Sequence, residues 1–598
     1  MTVLVGEKEK SPSARQVDDI KIMVGGQGGD GTLTVINLVG RVFKHMGLYS
    51  YDSRNVLSRI RGGHADGVIR GSAKHVLNVG DGIDVLVAFD EEAVTSAASE
   101  LSENSVVIYD SSRAPLNRSL VPRSVVYEGK FGERAGTDLK RTLLKNTISF
   151  GVLCRVLGVE DKLAESVISA RYSRRGEEVL SSNLSALKLG FELASQMGVR
   201  AHFVIPKLGA NDTIQIDGDA ALGIGFIAGG GRFYAGYPIT PASEILEYLE
   251  ANLPKFGGVA IQAEDEISAI NMAIGASIAG VRSMVATSGP GQDLMTEGIG
   301  QAAMSESPVV IVEVQRTGPS TGEPTKHEQS DVNHVVYGGH GDFPRLVIAP
   351  ADAQDCFEMG YVSLNLAEKY QLPVFVLMDQ ELAQNTQCTA AFDFSKVVVE
   401  RGKLLNSSQL ESVKEYKRYE LTSDGVSPRT IPGTPNGMFQ MTGNEHNEWG
   451  MVSVDKENRG SMMRKRFLKV EAAKEDLPKS RFYGDEDADI GIVSFGSNMG
   501  PILEAMDMLR DKNVRTKFLC LRTIYPLPSE ELSKFLDGVR LAFFVECNLT
   551  GQLAGLVKKE VGYMDKVVSL TKYDGTGFRP SQIVSGILSG LSQAVKQS

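Results

Sequence analysis

The sequence predicts an α/β protein built from three parallel-sheet modules, on three observations. Short apolar runs rich in Val, Ile and Phe alternate with longer segments of helical period. Several of these runs end in glycine-rich turns that open the next helix. The composition, with 63 glycines, 42 % hydrophobic residues and a single tryptophan, Trp449, is that of a glycine-rich globular enzyme. At 598 residues the chain exceeds what one core holds, roughly 250–300 residues, so several domains are expected.

After a polar tail, 1–18, the first module (19–198) opens with Ile20-Lys-Ile-Met-Val, passes through Gly25-Gly-Gln-Gly-Gly-Asp-Gly, and enters a helical run from Thr32 to Met46. Strand signals follow at Val85-Leu-Val-Ala-Phe and Val106-Val-Ile-Tyr, then an amphipathic segment around 180–197 and a linker at 199–207. The second module (208–400) has strand signals at Ser283-Met-Val-Ala-Thr, Val309-Val-Ile-Val-Glu-Val, Arg345-Leu-Val-Ile-Ala and Pro373-Val-Phe-Val-Leu-Met. Residues 401–483 turn polar and turn-rich, which suits an extended insertion with little sheet of its own. The third module (484–598) reads Ile490-Gly-Ile-Val-Ser-Phe-Gly-Ser, a helix to Arg510, Val514-Arg-Thr-Lys-Phe-Leu, and Leu541-Ala-Phe-Phe-Val-Glu.

The formal charge of −11 argues against a nucleic-acid partner, which needs a basic face. No window approaches a membrane span and the first twenty residues carry no signal-peptide core, so a cytoplasmic protein is expected. The five cysteines, at 154, 356, 388, 520 and 547, form no C-x-x-C pair, so neither a disulfide framework nor an iron–sulfur or zinc site is indicated. Any electron-carrying cluster is expected on another chain.

Chemistry concentrates in a few turns. In Tyr237-Pro-Ile-Thr-Pro241 two prolines restrain Ile239 and Thr240, and a helix starts next; a loop at the carboxyl end of a strand is where α/β proteins bind ligands. Gln262-Ala-Glu264-Asp265-Glu266 leads into a helix of small residues; Glu264 and Asp265 suit the helix dipole, whereas Glu266 precedes an Ala/Gly-rich face open to a flat ligand or a partner helix. Thr287-Ser-Gly289-Pro-Gly-Gln admits close backbone approach. Arg316-Thr-Gly-Pro-Ser-Thr321-Gly-Glu-Pro-Thr325-Lys326-His327 is a cationic, hydroxyl-rich loop of the kind a small carboxylate needs.

Gly26-x-Gly28-x-x-Gly31 fits the dinucleotide-binding pattern, with Asp52 about twenty residues on, but Arg54, Arg59 and Arg61 are not needed at a nicotinamide site. A phosphate-bearing ligand and plain strand-on-helix packing both stay open. Ile216-Asp-Gly-Asp219 is followed by no asparagine pair, so Asp219 is taken as a turn residue and the chain is expected to lack a diphosphate–metal clamp.

Taken together, Tyr237-Pro-Ile-Thr-Pro, Glu264-Asp-Glu, Thr287-Ser-Gly-Pro-Gly and Arg316-Thr-Gly-Pro-Ser-Thr-Gly-Glu-Pro-Thr resemble the α subunit of 2-oxoacid:ferredoxin oxidoreductases, and Gly25-Gly-Gln-Gly with Arg61-Gly-Gly resembles that family's γ domain, here fused ahead. Gly443-x-Glu445-His446-x-x-x-Gly450 and Glu546-x-Asn548 extend the resemblance over nearly the whole chain. It implies a γ-type domain, a pyrimidine-type thiamine-diphosphate fold and a transketolase C-terminal-like domain. The implied reaction is oxidative decarboxylation of a 2-oxoacid, with 2-oxoglutarate favoured, to acyl-CoA and CO2, with electrons to ferredoxin, or the reverse carboxylation.

The resemblance also implies thiamine diphosphate shared with a β subunit that holds the Mg2+ and the iron–sulfur cluster, coenzyme A as co-substrate, and a dimer of αβ units. No metal is expected on this chain. By matching position Glu266 serves the aminopyrimidine, with Tyr237, Pro238, Ile239 and Gly289 around the cofactor. Thr240 and Arg316 hold the substrate's oxygens, with Thr321 and Thr325 nearby and Lys326 or His327 for a distal carboxylate. Gly26, Gly28, Arg54 and Arg61 are the coenzyme A candidates. The alternatives are a pyruvate or broad-specificity enzyme, a nicotinamide-dependent dehydrogenase built on the glycine loop, and a non-catalytic scaffold subunit.

Overall fold

The computed structural model describes residues 14–56, 63–209 and 212–597. The chain divides into two units that meet at Asp212 and Thr213, so the second and third modules read from the sequence share one unit.

The first unit contains β1 (Asp19–Gln27), α1 (Thr32–Met46), β2 (Tyr49–Val56), β3 (His64–Ser72), β4 (Ile83–Ala88), β5 (Leu101–Asp110) and β6 (Val125–Gly129), with α2 (Lys145–Val156) and α3 (Glu177–Gln196) among its helices. Its strands lie in the order β6-β5-β4-β1-β3-β2. β1, β4, β5 and β6 are parallel neighbours, but β3 runs antiparallel to both β1 and β2. The sheet is parallel-dominated, as expected, with β3 as its antiparallel member. All nine residues of β3 are buried, so the strand that follows Arg61-Gly-Gly is driven into the sheet between β1 and β2. The 199–207 segment, expected as a linker, also adds a short strand: Phe203–Val204 pairs in parallel with Arg15–Gln16, and Phe203 is fully buried.

The second unit opens with α4 (Gly218–Ala228), β7 (Phe233–Gly236), α5 (Ser243–Asn252), β8 (Val259–Gln262), α6 (Glu266–Ile278), β9 (Ser283–Thr287), α7 (Gly289–Met304) and β10 (Val309–Gln315). It continues with β11 (Leu346–Ile348), α8 (Ala353–Tyr370), β12 (Pro373–Asp379) and α9 (Lys456–Ala473). The last segment supplies β13 (Arg481–Gly484), β14 (Ile490–Ser494), β15 (Thr516–Cys520), β16 (Thr523–Tyr525), β17 (Leu541–Glu546), α10 (Gln552–Glu560) and β18 (Val567–Thr571). One sheet has the order β8-β7-β9-β10-β12-β11-β16 and a second β13-β15-β14-β17-β18. Both are parallel apart from one edge strand each, β16 and β13. β16 reaches the larger sheet from the third module.

The centre of the larger sheet explains where its ligand edge lies. β10 is buried along all seven residues because helices cover both faces of the sheet, and a strand in that position must be a continuous apolar run. Each buried Val or Ile there contributes about 1.5–3 kcal/mol. Glu313 is the exception in the run. Since β7, β9 and β10 are parallel and in register, the loops after them, 237–242, 288–291 and 316–327, emerge at one edge.

The 401–483 insertion is fastened by buried charge. Glu306 is wholly buried and both its carboxylate oxygens lie 2.7 Å from Lys465 Nζ, with Lys469 Nζ also paired to it. Arg418 Nη2 donates to the Glu306 carbonyl at 2.8 Å. Burial opposes ionisation of Glu306, but the two lysines and Arg418 hold its carboxyl far below the usual range. In the Gly443 motif, Glu445 receives Arg466 Nη2 at 2.7 Å and also pairs Arg459, while Gly450 makes the tight turn at φ 86°. That motif and the 18-residue α9 therefore knit the insertion together.

Candidate functional site

Tyr237 and Pro238 stand exposed at the end of β7, while Ile239 and Thr240 are half-buried. Arg316, at the end of β10, is 6 % exposed and its Nη1 donates to the Thr240 carbonyl at 2.6 Å. The two loops singled out from the sequence are therefore tied directly to each other. Burial pulls the Arg316 pKa down, opposed by Glu313, Asp331 and Glu266.

Asp265 is the N-cap of α6: its carboxylate accepts from the Ser268 N–H at 2.7 Å, and its pKa is lowered by that bond. Glu264 is exposed, and Glu266, the first residue of the helix, is buried. Its neighbour is the glycine turn after β9. A Cβ on Gly291 would lie 2.0 Å from Thr287 Oγ1 and 2.5 Å from Glu266 Oε1, so only glycine lets the carboxylate stand there. At Gly289 a Cβ would lie 3.3 Å from Asp331 Oδ2. On the outer side of α6, Ile267 and Met272 are exposed at 48 % and 40 %, and Gly275 has open space where a side chain would be. Glu266 thus sits beneath a small-residue turn, at the start of a helix that exposes Ile267 and Met272.

The 316–327 loop folds on itself: the Thr317 N–H donates to the Lys326 carbonyl and the Glu323 N–H to the Thr317 carbonyl. Thr321 is exposed, and Thr325 and Lys326 are half-buried. His327 departs from its expected place. It is 2 % exposed, neither ring nitrogen has a hydrogen-bond partner, and Nδ1 lies 3.8 Å from Asp379 Oδ1. The ring is turned inward, away from the open side of the loop, so it is not placed to meet a distal carboxylate. Its backbone N–H donates to the Gly575 carbonyl, which brings the third module against this loop. The Glu546-x-Asn548 motif strengthens that junction. Glu546 accepts from the N–H groups of Leu553 and Ala554, and Asn548 Nδ2 donates to the Gln329 carbonyl at 3.0 Å.

Asp219 also differs from its expected role. Asp217 caps α4, and Asp219 lies within the helix, wholly buried and without a partner on either oxygen, where burial pushes its pKa well up. Among the described residues no group of three or more His, Cys, Asp or Glu could hold a metal, and no helix is long and apolar enough to cross a membrane.

In the first unit the two ends of the glycine loop, Gly26 and Gly31, are packed from within. A Cβ on Gly26 would lie 2.8 Å from Phe89 Cβ, one on Gly31 would lie 2.4 Å from Asn146 Nδ2, and the Gly28 N–H already donates to Gly63. Asp30 accepts from the Gln27 N–H and pairs Lys145 Nζ at 2.8 Å and Arg113 Nη2 at 3.0 Å. Gly26 is packed against Phe89, whereas Gly28 and Gly29 are exposed and a Cβ on Gly29 would meet open space. β3 between β1 and β2 also removes the adjacent parallel pair on which a dinucleotide fold depends. Arg54 lies 4.0 Å from Asp52, whereas Arg59 and Arg61 fall outside the described residues.

Sequence reasoning missed Glu313 and Asp331, which stand behind Arg316. A glutamate inside the apolar run of β10 was the available signal.

Comparison with known proteins gives the family. Family models match residues 224–465 (pyruvate flavodoxin/ferredoxin oxidoreductase, thiamine-diphosphate-binding), 21–193 (pyruvate ferredoxin/flavodoxin oxidoreductase) and 488–583 (pyruvate:ferredoxin oxidoreductase core domain II). The 2-oxoacid:ferredoxin oxidoreductase subunit alpha of Saccharolobus solfataricus is 32 % identical over 95 % of this chain and 97 % of its own length. The 2-oxoglutarate synthase subunit KorA of Methanothermobacter thermautotrophicus is 36 % identical over 62 % of this chain and 97 % of its own. Among solved structures, the 2-oxoglutarate:ferredoxin oxidoreductase from Magnetococcus marinus, with 2-oxoglutarate, coenzyme A and succinyl-CoA bound, matches with TM-score 0.90 and 35 % identity, covering 96 % of this chain and 99 % of that one. With the sequence motifs gathered at one sheet edge and relatives aligned over almost its full length, the chain belongs to the 2-oxoacid:ferredoxin oxidoreductase family, as an α subunit.

Proposed function

We infer that this α subunit works with a β subunit to decarboxylate 2-oxoglutarate oxidatively, yielding an acyl-CoA and CO2 with electrons passed to ferredoxin, or to run the reverse carboxylation. The observation that carries this reading is the buried Glu266 carboxylate under the Gly289–Gly291 turn, beside the loop where Arg316 grips Thr240. A buried carboxylate facing a small-residue gap fits the aminopyrimidine of thiamine diphosphate, and in this reading a partner holds the diphosphate end with its Mg2+ and the iron–sulfur cluster. Bound there, the cofactor supplies the carbon nucleophile and electron sink that decarboxylation of a 2-oxoacid needs.

This chain's residues do the positioning. Glu266 holds a proton donor or acceptor at one ring nitrogen, which is general acid–base work. Arg316 and Thr240 hold the oxoacid's carboxylate and oxo oxygens, with Thr321 and Thr325 along the loop. Lys326 is the group for a distal carboxylate, and Tyr237, Pro238, Ile239 and Gly289 frame the cofactor. The exposed Ile267 and Met272 of α6 fit a β subunit, and a dimer of αβ units completes this reading. Coenzyme A contact is assigned to the first module, through Gly26, Gly28, Arg54 and Arg61.

The test is the chain co-purified with its β subunit and assayed for dye or ferredoxin reduction with 2-oxoglutarate, pyruvate and a branched oxoacid. Lys326→Ala should raise KM for 2-oxoglutarate and leave that for pyruvate unchanged; equal effects on both would remove Lys326 from specificity and favour a broad-specificity enzyme.

A further inference from the structure

Behind Arg316 lies a group of polar side chains that the roles above do not use. Glu313 is 0 % exposed, and neither carboxylate oxygen has a hydrogen-bond partner. The buried atoms Ser288 Oγ, Gln292 Oε1 and Arg316 Nε in the same region are likewise unpartnered. These residues sit where β9 and β10 end: Glu313 pairs in register with Thr287, and Ser288 caps the helix that begins at Gly289. Asp331 closes the group. Its N–H donates to Gln315 Oε1 at 3.1 Å, and its carboxyl faces Gly289, where a Cβ would lie 3.3 Å from Oδ2.

The charges facing this group come from every side. Glu313 faces Asp331, Arg316 and Asp293; Asp331 faces Asp293, Glu328 and Arg316; Arg316 also faces Glu266. Asp293 is itself held by His334 Nε2 at 3.3 Å, next to which lies Arg345. One arginine therefore confronts three carboxyl groups, and were all three ionised an incoming anion would meet net negative charge. A buried carboxyl with no partner stays protonated, because an isolated charge in the interior costs far more than a neutral acid. Burial and then Asp331 push Glu313 well above the carboxylate range, and burial with Asp293 and Glu328 raises Asp331 to about 7.

We propose that Glu313 and Asp331 set the anion affinity of Arg316: Glu313 remains a neutral carboxylic acid, and Asp331 switches the charge behind the guanidinium by taking up or releasing one proton to solvent. The site then holds an anionic oxoacid best when both groups carry protons. These two are positioning residues, acting through Arg316, and the proposal rests on the reading of Arg316 as the substrate's carboxylate clamp.

The test is the pH dependence of KM for the 2-oxoacid, with coenzyme A saturating, in the complex with its β subunit. Wild-type KM should rise on the order of tenfold as pH passes through about 7, with kcat following a different profile. Asp331→Asn should hold KM low and flat over the same range. Glu313→Gln, which imitates the neutral acid, should keep the wild-type profile within about twofold. Asp293→Asn changes an exposed side chain, tests the same point without disturbing the interior, and should move the midpoint to lower pH by removing a like charge. A flat wild-type KM, an Asp331→Asn profile that still rises, or an unmoved midpoint in Asp293→Asn would overturn the proposal. Absence of oxoacid-dependent turnover in the wild-type complex at every pH would instead overturn the functional reading beneath it.

Discussion

Two glycine turns in this chain share one sequence grammar and end differently. Both follow a buried strand and open a helix: Gly25–Gly31 runs from the end of β1 to the start of α1, and Gly289–Gly291 forms the first turn of α7 just after β9. In the first, Phe89, Asn146 and Asp30 crowd onto the glycines, and Asp30 brings its own cations with it. In the second, the atoms nearest the missing side chains are the oxygens of Thr287, Glu266 and Asp331. Glycine permits close approach in both places, but what approaches Gly26 and Gly31 is largely packed side chains, whereas what approaches Gly289 and Gly291 is hydroxyl and carboxyl oxygens. The motif identifies room, and only the neighbours identify a site.

The largest effect expected from this contrast is on the reactive side. Glu266→Gln should cut oxoacid-dependent turnover by about 10²–10⁴-fold while the complex with the β subunit still forms, and full turnover in that variant would refute the role given to Glu266. On the packed side, Asp30→Asn strands Lys145 and Arg113 and should lower stability by about 3 kcal/mol in a denaturant titration of the first unit's transition, with turnover per folded molecule retained.

Adding one methyl to each turn sharpens the contrast. Gly291→Ala displaces Glu266 or Thr287 and should reduce turnover by about 10²-fold. Gly26→Ala overpacks against Phe89 and should cost about 1–3 kcal/mol, read as a lowered melting temperature, with kcat unchanged. If the two variants exchanged phenotypes, the distinction drawn here would fail.

The smallest effect belongs to His64, whose pKa is raised chiefly by its hydrogen bond to Asp66, with burial opposing. A raised histidine stabilises the fold fully below its ordinary value near 6.5, and that contribution is lost as pH climbs through the raised value. The first unit should therefore weaken slightly with pH just above 6.5, and His64→Gln should flatten that slope in thermal melts.

Much of the second unit was legible because its signals are local. Strand runs such as Ser283–Thr287 end in turns whose residue types announce both the turn and the following helix. The motifs that meet at the site come from consecutive βα turns of one parallel sheet, so their proximity follows from topology. What stayed hidden depends on distant partners. The inward turn of His327 follows from Asp379 and Gly575, the insertion of β3 from burial on both its faces, and the pairing of Asp30 in the glycine loop from Lys145 and Arg113. Glu313 was visible as a glutamate among valines, but its meaning required Asp331, eighteen positions on and across a folded loop.

The strand β16 carries a practical consequence for anyone who cuts this gene. Thr523–Tyr525 seals the margin of the larger sheet by pairing with Val347 and Ile348. A fragment that stops near residue 483 would leave that margin bare, with unsatisfied amide and carbonyl groups ready to recruit another chain. Recombinant pieces ending in the insertion should precipitate.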